Sequence, residues 1–318
     1  MMEEANREAL EPPDQSLVAC ESQQIWSAMP ASLVVIIIVS TTVAAVIVML
    51  SLGLDPDEPL QGAVLGSLFY LIAVALLCFA SRKTRGSSRL PFGASNSRTA
   101  LGHAALLGIP LVGISVALLY AIYIPLSFVF PELVVWWVLD QQPLFWINSD
   151  STYIVASVIN AIILVIIAPV VEEIIFRGYL LHRIIIKIGT IEAILISSIL
   201  FGLLHVDFAG AVIFGVILCC MTLYSRSLKG PMLAHGCNNL IVMMWTLCEG
   251  LYEGELVWTM SLDEFYDTWW IGLAGGVIAL PWLIWAWCNR RRIKPTEWAT
   301  PLIKTIEARS KFQPNKLP

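Results

Sequence analysis

Two adjacent glutamates, Glu172 and Glu173, lie in the otherwise apolar stretch LVIIAPVVEEIIFRGYLLHRIIIK, residues 164–187. An ionised carboxylate is costly in such surroundings, so it indicates either a bound partner or a chemical task. Arg177 follows Glu173 by four residues, which is the favourable spacing and order for an ion pair on a helix. Glu172 points about 100° away and has no such partner. Glu172 is therefore the candidate for chemistry, although both acids could simply mark the cytoplasmic end of a helix.

Two of the four histidines are candidates to share a site with Glu172. Phe201 and His205 in LFGLLHVD are four residues apart, as are His235 and Asn239 in LAHGCNNL, so each pair lies on one helical face. A carboxylate beside an imidazole can activate water, and a second histidine with an amide can donate to an oxyanion. Either histidine alone is explained equally well by a hydrogen bond between helices. The set as a whole favours amide hydrolysis without a serine or cysteine nucleophile.

The position of Gly189 explains how these residues can meet. Glycine commonly stops a helix, and Gly189 falls midway between Glu172 and His205 along the chain. Two antiparallel helices joined there would bring both side chains to the same depth, about 25 Å from the turn. We expect the site in the cytoplasmic half of a bilayer, open to water from inside.

The composition is that of a membrane protein. Of 318 residues, 58% are hydrophobic and only 14% are charged, with a mean hydropathy of +0.77, whereas soluble domains average about 25% charged residues. The runs without charge that are long enough to span a bilayer are 22–54, 59–81, 99–131, 151–171, 208–225, 230–248 and 268–289. With a shorter run at 193–206, they predict an all-α, polytopic membrane helix bundle of about eight transmembrane helices.

The basic residues predict the orientation of this bundle. All 19 lysines and arginines fall in segments that face the cytoplasm if the N-terminus does, mostly the loop 81–100 and the tail after residue 288. Both termini are therefore expected in the cytoplasm. The first 29 residues are acidic and lack the basic start of a signal peptide. No basic patch indicates nucleic acid binding.

The chain divides into three predicted parts. Residues 1–149 hold an N-terminal cytoplasmic segment and the first three transmembrane helices, and residues 150–248 form the catalytic core. Residues 249–318 hold an outer loop, the last transmembrane helix and a basic cytoplasmic tail.

Three motifs in the core carry a family resemblance. EEIIFR fits EExxxR, FGLLH fits FxxxH and HGCNN fits HxxxN, in that order. Over residues 150–245 the chain resembles the CPBP family of CAAX proteases and bacteriocin-processing enzymes, which includes the type II CAAX prenyl endopeptidases. The resemblance implies an all-helical intramembrane endopeptidase. In that family Glu172 and His205 would activate water, and His235 and Asn239 would form the oxyanion hole. The other motif residues would support the site: Glu173, Arg177 and Phe201, the last as pocket wall.

The resemblance leaves the substrate and the mechanism open. We expect a membrane protein or peptide as substrate, lipidated or not, and a place in a prokaryotic cell membrane because the 206–230 segment is compact. Glu172, His205 and His235 could form a His₂Glu zinc site, but the chain has no HExxH motif and Asn239 is a poor zinc ligand, so a mechanism without a cofactor is favoured. The alternatives are a non-catalytic membrane scaffold, a bacteriocin-immunity protein and a small-solute transporter.

Overall fold

A computed structural model of the protein describes residues 31–55, 58–85, 97–141, 145, 151–253, 260–297 and 299–300. The elements formed by these residues are helical, without a strand among them, as the sequence predicted. The acidic segment 1–29, most of the basic loop 81–100 and the tail beyond residue 300 lie outside the described residues.

Numbered in chain order within the described residues, the α-helices are α1 (Ala31–Leu52), α2 (Pro59–Arg85), α3 (Arg98–Leu106), α4 (Gly108–Ser127), α5 (Pro131–Val134), α6 (Ser151–Ile162), α7 (Ala168–Glu173), α8 (Leu181–Ile188), α9 (Thr190–Gly202), α10 (Phe208–Ser225), α11 (Lys229–Glu253), α12 (Leu262–Asp267) and α13 (Trp269–Cys288). Three π-helical segments are Val135–Leu139, Ile163–Ile167 and Ile174–Leu180. A short 3₁₀ helix, Arg290–Arg292, follows α13.

Several helical stretches have the length and composition needed to cross a membrane. In the described part of the chain there are five: Pro59–Phe79, Arg98–Ser127, Tyr153–Ile188, Phe208–Ser225 and Leu262–Cys288. Val39–Leu52 and Thr190–Gly202 are apolar but shorter. The protein is therefore an integral membrane protein, whereas the expected total of eight crossings remains a prediction.

The two glutamates lie within one long helical rod. Helices α6, α7 and α8 run on from one another, and the π-helical segments Ile163–Ile167 and Ile174–Leu180 join them on either side of α7. π-helical turns interrupt the regular hydrogen bonding of an α-helix and occur often at functional sites. The rod ends at Gly189, whose φ of 110° is a conformation that side-chain-bearing residues rarely adopt.

The chain reverses at Gly189, and α9 then packs against both α8 and α10. On the other side, α2 packs against α6 and α7, with α1 beside α2. Helix α11 also packs against α7 and the π-helical segment Ile163–Ile167. The six-residue helix α7 is thus enclosed by helices from distant parts of the sequence.

Candidate active site

The adjacent glutamates point into different surroundings. The Glu173 side chain is fully buried, whereas that of Glu172 is 19% exposed and lines a cavity of about 420 Å³. Adjacent residues of a helix point about 100° apart, so the two side chains differ in exposure. Only Glu172 can therefore meet a substrate in that cavity.

Glu173 is the centre of a buried polar cluster. Arg177 Nη1 donates to Glu173 Oε1 at 2.8 Å, the ion pair that the spacing predicted. His235 Nδ1 lies 3.0 Å from the same oxygen, and because a carboxylate only accepts, this nitrogen carries the proton. The contact joins residues 62 positions apart, so spacing within a helix could not predict it. Glu173 thereby orients the ring of His235.

The free nitrogens of two histidines face Glu172. Glu172 Oε2 lies 3.9 Å from His235 Nε2 and 4.0 Å from His205 Nε2. The structure thus brings together the glutamate and both histidines that the sequence singled out. These separations are too long for direct hydrogen bonds. The other carboxylate oxygen, Oε1, accepts a hydrogen bond of 2.8 Å from Tyr70 Oη, a residue the sequence analysis missed.

His205 lies in the turn between α9 and α10 and its side chain is 35% exposed. Its Nδ1 donates to the Phe201 carbonyl oxygen at 2.8 Å, which leaves Nε2 of the neutral ring as an acceptor toward Glu172. His205 is therefore suited to take up and release a proton.

The turn that carries His205 is held from outside by two side chains. Tyr123 Oη and Trp137 Nε1 both donate to the Val206 carbonyl oxygen, at 3.1 and 3.0 Å. Asp207 then begins α10 by accepting from the Gly210 amide at 3.1 Å. Burial raises the pKa of Asp207 to about 6. These contacts fix the backbone on the C-terminal side of His205.

Asn239 lines the cavity beside the helical rod formed by α6, α7 and α8. Its Nδ2 donates to the Leu164 carbonyl oxygen at 2.8 Å, within a π-helical segment. The second hydrogen of the same amide remains available to a ligand. Gly236 permits this close approach, since a Cβ there would lie 2.8 Å from the Val165 oxygen.

Phe201 does not form the cavity wall that the resemblance assigned to it. It is buried behind the site, with its ring centroid 4.2 Å from that of His205. The Arg177 guanidinium lies 4.3 Å from the same centroid, a cation–π contact. Phe176 lines the cavity instead. Phe201 therefore supports the polar groups from behind, because its side chain packs into the core.

Part of the cavity wall comes from helices outside the three motifs. Helices α1 and α2 contribute Thr41, Thr42, Phe69 and Tyr70 beside Glu172. No pattern in these two apolar helices distinguishes the residues that reach the cavity. Most of the remaining lining is aliphatic, so the cavity is mainly apolar.

A family model described as type II CAAX prenyl endopeptidase Rce1-like matches residues 154–241. Residues 154–241 are an Rce1-like domain. All three motifs lie inside the Rce1-like domain, whose family implies an intramembrane protease of the CAAX type. Neither a curated protein nor a solved structure matches the chain.

Glu172, His205 and His235 are the candidate ligands for a zinc ion. Both imidazoles present Nε2 while Nδ1 binds an acceptor, which is the orientation of a zinc-bound histidine. However, ligands about 2.1 Å from a tetrahedral ion lie about 3.4 Å apart, and the separations to Glu172 Oε2 are 3.9 and 4.0 Å. No group of three His, Cys, Asp or Glu side chains in the described residues is arranged to hold a metal ion. As they stand, these residues do not fit zinc.

Proposed function

We propose that the protein is an intramembrane endopeptidase in which Glu172, assisted by His205, activates a water molecule. The observation that carries this proposal is the pair of 3.9 and 4.0 Å separations between Glu172 Oε2 and the two histidine Nε2 atoms. A water about 2.8 Å from two partners at a right angle spans about 4 Å. The carboxylate can then act as general base on that water.

His235 and Asn239 are proposed to stabilise the oxyanion. The second amide hydrogen of Asn239 is one donor. The other is His235 Nε2, which carries a hydrogen only in the imidazolium form, since Nδ1 already holds one.

The reaction needs no covalent intermediate with the protein. Glu172 takes a proton from water, and the resulting hydroxide oxygen bonds to the carbonyl carbon of the scissile amide. His235 and Asn239 donate to the oxyanion of the tetrahedral intermediate. When the C–N bond breaks, the proton held by Glu172 passes by way of His205 to the leaving nitrogen. Acid and amine products leave the site in its starting state.

We further propose that the substrate is a membrane-anchored peptide with a prenylated CAAX end. The description of the matched family and the apolar lining of the cavity support this class. Phe69 and the aliphatic wall residues offer surface for an isoprenoid chain next to Glu172.

A cleavage assay tests the proposal. The full-length protein is reconstituted in liposomes with a fluorogenic peptide that ends in a farnesylated CAAX sequence. We expect cleavage by the wild type and a loss on the order of 10⁴-fold in Glu172→Gln, because the amide cannot accept the proton. Glu132→Gln, an exposed acid on α5, should retain full activity.

The same Glu172→Gln variant separates an enzyme from a scaffold or an immunity protein. Membranes with the wild type and the variant are compared by quantitative proteomics for a peptide that only the wild type shortens. A cellular phenotype that persists in Glu172→Gln, without any shortened peptide, would favour the non-catalytic alternatives.

The proposed orientation has cytoplasmic termini, eight crossings and a site open to the cytoplasm of a prokaryotic cell. It rests on the distribution of the basic residues. Reporter fusions at residue 255 and after residue 300 should report opposite sides of the membrane. The same side in both fusions would contradict it.

A further inference from the structure

Tyr70 reaches the proposed general base from outside the Rce1-like domain. It lies on α2, 102 positions before Glu172, and its hydroxyl donates to Glu172 Oε1 at 2.8 Å. The hydroxyl is half-buried, and the Phe69 ring packs edge-on against that of Tyr70 with centroids 5.3 Å apart. The contact is therefore a specific hydrogen bond from a second region of the protein.

This hydrogen bond determines which oxygen of Glu172 faces the two imidazoles. A carboxylate has two equivalent oxygens and rotates readily about its last bond. With Oε1 bound to Tyr70, only Oε2 faces His205 and His235. In the described residues Oε2 has no hydrogen-bond partner of its own, although it is buried. The hydroxyl thus keeps the proton-accepting oxygen in place and leaves it free.

We propose that Tyr70 is a positioning residue for Glu172, which it holds with Oε2 toward the reacting water. This inference rests on the proposed function, because it assigns Tyr70 a role in the same proton transfer. The simpler interpretation is that Tyr70 only ties α2 to α7. The positioning role predicts that removal of the Tyr70 hydroxyl alone changes catalysis, whereas the simpler interpretation predicts no change in catalysis.

Tyr70→Phe removes only the hydroxyl, and Tyr120→Phe is a matched control that removes a tyrosine hydroxyl bound to Thr268 instead. Both variants are purified as full-length proteins and assayed in liposomes with the farnesylated CAAX peptide. We expect kcat of Tyr70→Phe to fall about 10- to 100-fold, as for the loss of a hydrogen bond to a charged group, with KM unchanged. Tyr120→Phe should leave both kcat and KM unchanged.

The pH–rate profile provides a readout that a purely structural role would not change. The groups that face Glu172 are Tyr70, His205 and His235, with the Glu173–Arg177 pair behind His235. Loss of a donor to the ionised carboxylate disfavours that form. The acidic limb of the profile should therefore move to higher pH in Tyr70→Phe. An unchanged kcat and an unchanged acidic limb would overturn the proposal.

An infrared measurement separates failure of this inference from failure of the proposed function. The carboxylate stretching band that disappears in Glu172→Gln should shift in Tyr70→Phe and stay in place in Tyr120→Phe. If the wild type cleaves nothing, the proposed function fails, and the band still tests the contact. A band unmoved by Tyr70→Phe would show that the hydroxyl does not hold Glu172.

Discussion

The turn that carries His205 and the helix that carries His235 present the same nitrogen to the same carboxylate oxygen. The His205 side chain is 35% exposed and its Nδ1 binds a backbone carbonyl. The His235 side chain is 4% exposed and its Nδ1 binds the carboxylate of Glu173. One ring is thus neutral and accessible, whereas the other is enclosed and paired with an acid.

This difference predicts different catalytic roles for two chemically identical side chains. An imidazole bonded to a neutral carbonyl and open to the cavity can exchange protons with solvent and substrate. An imidazole that donates to a buried carboxylate is held in one orientation by that hydrogen bond. The first arrangement suits proton transfer, and the second suits a fixed donor. The following four experiments test this assignment in order of decreasing expected effect.

Among these four experiments, the largest effect is expected at His205. His205→Ala should lose about 10²- to 10⁴-fold in kcat, the range for a group in general acid–base catalysis. Because its side chain is partly exposed, added imidazole should occupy the space and restore part of the activity. His235→Ala, whose site is closed, should gain nothing from imidazole. Equal rescue of both variants, measured with the farnesylated peptide, would remove the distinction between the two histidines.

The next effect concerns the donors to the oxyanion. His235→Ala and Asn239→Ala should each lose about 100- to 1,000-fold in rate, as for removal of one oxyanion donor. Chelators should leave the wild-type rate unchanged, because the proposed mechanism uses no metal. One equivalent of zinc in the active enzyme, lost with activity on chelation and restored with the ion, would contradict these roles.

A smaller effect is expected from the residues behind His235. Arg177→Gln and Glu173→Gln each break a buried ion pair, which should lower the free energy of unfolding by about 3–5 kcal/mol. Glu173→Gln should lose more activity than Arg177→Gln, since it also replaces the carboxylate that binds His235 Nδ1 with a neutral amide. The double variant should be no worse than Glu173→Gln alone. Strictly additive losses in stability and rate would show that the groups act independently.

The smallest effect is expected at the side chains that hold the His205 turn. Tyr123→Phe or Trp137→Phe removes one of two donors to the Val206 oxygen. A neutral hydrogen bond contributes about 0.5–1.5 kcal/mol, so the rate should fall about 2- to 12-fold. Tyr120→Phe on the same helix breaks a contact with Thr268 instead. It should affect stability but not the rate, and an equal loss of rate would count against a specific role of the turn.

The sequence predicted those parts of the site that depend on short spacings. The Glu173–Arg177 pair lies within one helical turn, and the approach of Glu172 to His205 follows from a helix stop at Gly189. The family resemblance is confirmed by the Rce1-like match. The roles of the individual residues remain predictions.

Contacts between distant helices could not be predicted in the same way. Tyr70 lies in the apolar part of α2, where hydropathy gives no sign of the face that meets Glu172. The family resemblance predicts Phe201 in the cavity wall, beside His205 of the same motif. In the structure the packing of α9 directs the Phe201 side chain into the core instead. The number of membrane crossings could not be predicted either. Helix α9 is only 13 residues long, and hydropathy does not distinguish a spanning helix of that length from a buried one.

The two π-helical segments on either side of α7 have a consequence for the tolerance of this rod to insertions and deletions. A π turn accommodates one residue more than the α-helical turn it replaces, and each residue of an α-helix advances the side-chain direction by about 100°. Deletion of one residue from Ile163–Ile167 should therefore give a continuous α-helix in which α6 and α7 keep nearly their present rotational phase. Deletion of one residue from α7 before Glu172 should instead turn Glu172 by about 100° relative to α6. Glu172 would then no longer face Tyr70 and His205 while α6 keeps its packing against α2.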